Sequence, residues 1–265
     1  KISEIKHPIV RESLKYFKIN FPIEITTFSD IPSNTGLASS SAFAVGLVHA
    51  LLVLQKKKIS KHKIAQIAAV IEVNILKRNI GKQDHFACSY GGLNKITFYK
   101  DEKVLVKKIY PKANKIRKLQ ENLELYYTSV KRNASNILKS QMKLNKNQVE
   151  YIKKLTNLVD PAIKILTDKT SNLDLFGEIL HKGWEVKRKV NNKISNQKLN
   201  DYYLKAIRQG ASGGKILGAG NGGFFLFYIK YKKKKKLSKS LNQLKNLKFN
   251  FDTKGTTVTY NDQKK

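Results

Sequence analysis

The sequence predicts an α+β protein in two lobes. Strand-like and helix-like segments are mixed without an internal repeat, and apolar spacing changes between two residues and three or four along the chain. With 265 residues, the chain can bury a core in each lobe. The division is expected near residue 120, giving lobes at 1–120 and 121–265.

FPIEITTF, Phe21 to Phe28, alternates and is rich in β-branched residues, so it reads as a strand. Asp30 to Gly36 is a loop, and Ser39, Ser40 and Ser41 open a helix to about Leu54 whose N-terminus the hydroxyls would cap. A helix over about Ser60 to Arg78 places Ile64, Ile67, Ala68, Ile71 and Ile75 on one side and contains Glu72. Gly81-Lys82-Gln83-Asp84 precedes a short helical piece, and Gly91-Gly92 turns the chain into a hairpin, Leu93 to Tyr99 and Val104 to Ile109. Glu124 to Val130 is a strand. Helices follow over Ala134 to Met142, Gln148 to Ile165, Leu173 to Val190 and Asn200 to Gln209. A Gly-rich turn, Gly210 to Gly223, leads to a strand at Phe224 to Lys230, a Lys-rich helix to about Leu244 and a strand near Lys254 to Tyr260.

Composition excludes several classes. The lone cysteine, Cys88, rules out an internal disulfide, and no Cys/His cluster has metal-ligand spacing, so a reducing, cytoplasmic setting is expected. The longest apolar stretch, Ala42 to Leu54, is short enough for a buried helix, and no membrane span or signal peptide is read. The net charge of +33 is spread along the chain and carried mostly by lysine, which argues for a solvated basic surface and against a specific nucleic-acid site.

Three segments carry chemistry. Gly36-Leu37-Ala38-Ser39-Ser40-Ser41 sets free N–H groups and hydroxyls at a helix start, where phosphate binds and a serine can reach a phosphate-bound Mg²⁺; a capped helix alone would account for the serines equally well. Glu72 and Asp84 are carboxylates in an acid-poor chain, suited to holding Mg²⁺ and to accepting a hydroxyl proton, although a surface position and a loop position explain them as well. The glycines of Gly210 to Gly223 exceed what a turn needs and permit close backbone approach to a ligand. A Walker loop is rejected there, because Ile216 follows Gly214-Lys215.

Together, Pro32-Ser33-Asn34-Thr35-Gly36-Leu37-Ala38-Ser39-Ser40-Ser41-Ala42 and the Gly210 to Gly223 segment resemble the second and third motifs of the GHMP kinases, in the family's order. The resemblance implies a ribosomal protein S5 domain 2-like N-terminal lobe and a ferredoxin-like C-terminal lobe. It implies ATP held by Pro32, Asn34, Thr35, Gly36, Leu37, Ala38, Ser39, Ser40, Ser41, Gly218, Gly220 and Gly222. Mg²⁺ would be held by Ser40 and Glu72, with Asp84 as catalytic base. EIKHPIVRESL, GLASSSAFAVGLVHAL, GKQDHFACSYGGLN and HKGWEVKRKVNNKISN are similar to segments of the D-glycero-D-manno-heptose 7-phosphate kinases. That likeness implies a sugar phosphate phosphorylated at its anomeric hydroxyl, with Lys82, Arg132 and Lys187 as candidates for the 7-phosphate. Fucose or a related sugar is the alternative acceptor.

Ala38, where the family usually has Gly or Ser, and His85 and Cys88, in place of Gln and Ala, depart from the pattern. The family's first motif is not found ahead of Lys1-Ile2-Ser3. A chain lacking the early strands is expected to expose a sheet edge and to lose activity.

Overall fold

A computed structural model of the chain describes residues 1–31, 35–129 and 145–262. They form two compact units, one of residues 1–31, 38–108 and 252–262 and the other of 35–37, 109–129 and 145–251. Residues 109–120 thus count with the second unit, and the last described stretch returns to the first.

The first unit is largely helical. Its helices are α1 (Pro8–Tyr16), α2 (Ser39–Leu54), α3 (Lys61–Ala69) and α4 (Gln83–Tyr90), followed by a hairpin of β1 (Leu93–Phe98) and β2 (Val104–Ile109). Pro8 opens α1 at a position where a missing N–H costs nothing. α2 is apolar around most of its circumference and is accordingly central, burying Ala44, Val45, Leu47, Val48, Leu51 and Leu52 against Ile64, Ile67 and Ala68 of α3 and Ile71 just beyond it. Each of the larger side chains contributes about 1.5–3 kcal/mol on burial.

Four expectations for this unit change. Ala38, not a serine, is the N-cap of α2; it is left-handed at φ 58°, and no side chain caps the helix. The hydroxyls lie inside the first turn. α3 continues into a π-helical turn, Val70–Ile75, which rotates later residues off the stripe, so Glu72 is buried and Ile75 is 40% exposed. Phe21 to Phe28 faces Ile23 and Ile25 toward the core as its alternation requires, yet no strand pairs with it among the described residues. Lys254 to Tyr260 is likewise outside any sheet.

The second unit is α5 (Ala113–Asn122), β3 (Leu123–Tyr127), α6 (Lys146–Asn157), α7 (Val159–Thr167), α8 (Asp174–Val190), α9 (Gln197–Arg208), β4 (Ala211–Ile216), β5 (Phe224–Ile229), α10 (Lys234–Ser240) and β6 (Lys245–Leu247). The strands form one antiparallel sheet in the order β4-β5-β3-β6. β5 lies inside it, which explains the unbroken apolar run FFLFYI. Phe225 and Phe227 stack at 5.0 Å and meet Trp184 of α8 and Tyr203 of α9. The helix expected at Ala134 to Met142 lies outside the described residues.

The Gly-rich segment is not one turn, because its first half is β4. A Cβ on Gly213 would stand 2.0 Å from the Gly177 carbonyl oxygen, and one on Gly214 would stand 2.4 Å from Phe227 Cδ1. These glycines let the strand lie against α8 and the sheet, which is a packing role. Only Gly218 to Gly223 is turn.

Candidate active site

Glu72 organises the polar part of the first unit. The π turn carries it inward, where its side chain is 0% exposed, and three donors surround the carboxylate. Ser40 Oγ donates to Oε1 at 3.0 Å, Arg78 Nη1 donates to the same oxygen at 2.6 Å, and His85 Nε2 meets Oε2 at 2.9 Å. Burial alone would raise the Glu72 pKa, but the His85 bond and charge, the Arg78 guanidinium and the Ser40 hydroxyl outweigh it and hold the carboxyl below its ordinary value. An ionised carboxylate only accepts, so His85 Nε2 carries a proton.

The Ser40–Glu72 pair suits a magnesium ion. Two neighbouring oxygens of an octahedral site with ligands at about 2.1 Å stand about 3.0 Å apart, and Ser40 Oγ and Glu72 Oε1 are 3.0 Å apart. Both are hard oxygen donors, as that ion prefers. No cluster of three or more His, Cys, Asp or Glu fit to hold a metal exists among the described residues, so the pair would serve an ion that keeps water and substrate oxygens as its other ligands.

Asp84 stands in the first turn of α4, with Lys82 as N-cap. The next residue, His85, is fully buried on Glu72, which fixes this turn of the helix beside the Ser40–Glu72 pair. One turn on, burial pushes the Cys88 thiol up to about 12, and the charges of Asp84, Asp252 and Glu72 push the same way. Asp84 and Glu72 therefore both act on the Cys88 thiol. Lys82 is paired with Glu102.

In the second unit, Gly218, Gly220, Gly222 and Gly223 all have positive φ, and Asn221 joins them at 57°. The turn is tied down: Asn221 N–H donates to the Ile194 carbonyl at 2.6 Å, and the Thr128 hydroxyl and N–H both donate to the Gly223 carbonyl at 2.9 Å. A Cβ on Gly223 would fall 2.0 Å from the Thr35 carbonyl oxygen, so buried Thr35 and this turn are in contact. Thr35 of the earlier motif segment thus meets the Gly-rich turn within the second unit. Lys187 Nζ donates to the Gly218 carbonyl at 2.6 Å and braces the turn. Pro32, Asn34 and Arg132 lie outside the described residues. Gly36, Leu37 and Ala38 run from Thr35 into Ser39, Ser40 and Ser41, the first residues of α2.

Residues 7–92 match the family described as GHMP kinases N terminal domain. That stretch is similar to the N-terminal domain of the GHMP kinases. A D-glycero-alpha-D-manno-heptose 7-phosphate kinase of Campylobacter jejuni is 31% identical over 218 residues, covering 82% of this chain and 64% of that protein. The chain therefore spans just under two thirds of that relative's length. Among solved structures, a putative sugar kinase from Campylobacter jejuni aligns with TM-score 0.71 and 29% identity over 94% of this chain and 72% of the other. A D-glycero-D-manno-heptose 1-phosphate kinase from Bacteroides thetaiotaomicron aligns with TM-score 0.70 and 22% identity, over 94% and 71%. The GHMP kinase fold, with its helical N-terminal lobe and ferredoxin-like sheet lobe, accounts for both units. Arg78 and His85, which hold the Glu72 carboxylate, had no such role in the sequence; only the π turn reveals what they touch.

Proposed function

We propose that this chain is an ATP-dependent sugar kinase acting on a sugar phosphate, with D-glycero-D-manno-heptose 7-phosphate as the acceptor and its anomeric hydroxyl as the attacking group. The observation that carries the reading is the Ser40–Glu72 oxygen pair at the first turn of α2. The Campylobacter jejuni relative supports the choice of acceptor.

Ser40 and Glu72 would hold Mg²⁺, which neutralises phosphate charge when bound. The free N–H groups of the first turn of α2 and the backbone of the Gly218 to Gly223 turn would bind the nucleotide phosphates. Asp84 would accept the proton of the sugar hydroxyl as its oxygen bonds to the γ-phosphorus and the bond to the ADP oxygen breaks. General-base help of this kind is worth roughly a hundred- to ten-thousandfold, and positioning with charge neutralisation supplies the remainder. Lys82, Arg132 and Lys187 are proposed for the 7-phosphate. For Lys82 and Lys187 this requires leaving Glu102 and the Gly218 carbonyl.

Coupled ADP release, measured against a panel of sugars and sugar phosphates, tests the assignment. A heptose 7-phosphate should give the highest kcat/KM. Preference for fucose or another free sugar would move the substrate within the family, and ADP release independent of every acceptor would sink the kinase reading.

A further inference from the structure

We propose that Arg78 is the resident counter-ion of Glu72, and that a divalent cation displaces it from Oε1, so that metal loading frees a guanidinium beside the first turn of α2. The proposal rests on the magnesium-nucleotide reading above and adds an exchange of cations to it.

The two carboxylate oxygens are held differently. Among the described residues Oε2 meets His85, which is fully buried and fixed in α4. Oε1 takes both Ser40 Oγ at 3.0 Å and Arg78 Nη1 at 2.6 Å, which occupies both of its lone-pair directions. A metal at Oε1 must remove one of these donors. Ser40 can rotate its hydrogen away and turn a lone pair to the ion, remaining as a ligand. Arg78 cannot, because a guanidinium has donors and positive charge only and would be repelled by the incoming cation.

Arg78 is also built to leave. Its side chain is 33% exposed, where Glu72 and His85 are at 0%. Its backbone is secured independently of the ion pair: Arg78 N–H donates to the Glu72 carbonyl at 3.0 Å, and the Arg78 carbonyl accepts from Ile80 N–H at 2.9 Å. The side chain can swing while its root stays. A released planar fork, tethered next to Ser40, has the chemistry to take two oxygens of a nucleotide phosphate. Before loading, it spares Glu72 an uncompensated buried charge.

The test follows Mn²⁺ by electron paramagnetic resonance, in the presence of a non-hydrolysable ATP analogue, for wild type, Arg78→Met, Arg78→Lys and Glu72→Gln. Removing a competing cation should tighten Mn²⁺ binding about tenfold in Arg78→Met while turnover falls. Arg78→Lys keeps a cation and should stay near wild type, and Glu72→Gln should lose the ion. In wild type, Mg²⁺ with the analogue should shift the Arg78 Nε–H resonance, a reading that needs no variant to fold. Wild-type binding of Mn²⁺ with equal or weaker binding by folded Arg78→Met, or an unmoved Arg78 resonance, would overturn the exchange and leave the kinase reading standing. A wild-type protein that binds neither Mn²⁺ nor the analogue would remove both.

Discussion

Glu72 is closed in by Ser40, Arg78 and His85, and Asp84 stands in the helix turn that the buried His85 anchors. Asp84→Asn keeps the size and shape of the side chain, so it should leave the fold unchanged and lower kcat at least a hundredfold with KM little altered, since the amide cannot take the hydroxyl proton. Near-normal turnover in the ADP assay would take Asp84 out of the mechanism. Glu72 should be visible in the pH dependence of stability. Its folded pKa lies below the ordinary carboxylate value of about 4.3, so its contribution is complete above roughly pH 5 and is lost as pH falls through the depressed value. The thermal midpoint of the wild type should drop below pH 4 more steeply than that of Glu72→Gln, and parallel profiles would contradict the assignment. Both carboxylates stood out in the sequence because acids are scarce there, 19 against 52 basic residues. Arg78 and His85 did not, because their roles depend on a π turn, and an apolar stripe read at 3.6 residues per turn runs straight through one.

Among the elements, those whose local pattern agrees with their packing were legible. α2, α8 and the β1–β2 hairpin fall where apolar content, periodicity and Gly91-Gly92 put them. β4 did not, because ASGGKI has almost no strand-forming side chains; its strand state is imposed by β5 on one side and by α8 across its face. Phe21 to Phe28 has the opposite character, a strand-like sequence without a partner strand among the described residues. The β4 case yields a prediction. Gly213→Ala would force a methyl to 2.0 Å from the Gly177 carbonyl and 2.6 Å from the His181 nitrogen, both backbone atoms of one helix that cannot yield like a side chain. The variant should lose about 3 kcal/mol of stability, the upper end of the ordinary overpacking cost of about 1–3 kcal/mol. A denaturant midpoint within a few tenths of a molar of wild type would show that the α8 contact does not require glycine at 213.

At the scale of the whole molecule the dominant property is a net charge of +33, and the second unit shows how it is disposed. A cavity of about 760 Å³ is lined by Lys112, Lys115, Lys118, Lys169, Lys230 and Lys232, against Asp168 and Asp174. Lys230 is spent on Asp174 at 2.6 Å, and Lys115 donates to the Asp168 carbonyl, so much of the remaining charge faces solvent. Such a surface attracts any polyanion by releasing its counterions, but lysine ammoniums do not read base edges in pairs as guanidiniums do. Only six of the 52 basic residues are arginine, and Arg78 and Arg188 are paired with Glu72 and Glu185. Duplex DNA should therefore bind with no sequence preference, and raising salt from about 50 to 200 mM should weaken it about a hundredfold if some four phosphates are contacted. Fluorescence anisotropy with two unrelated duplexes across a salt series measures both properties. A shallow salt slope together with a preference of tenfold or more for one duplex would mean that base contacts exist, and the lysine surface would then have to be read as a recognition site.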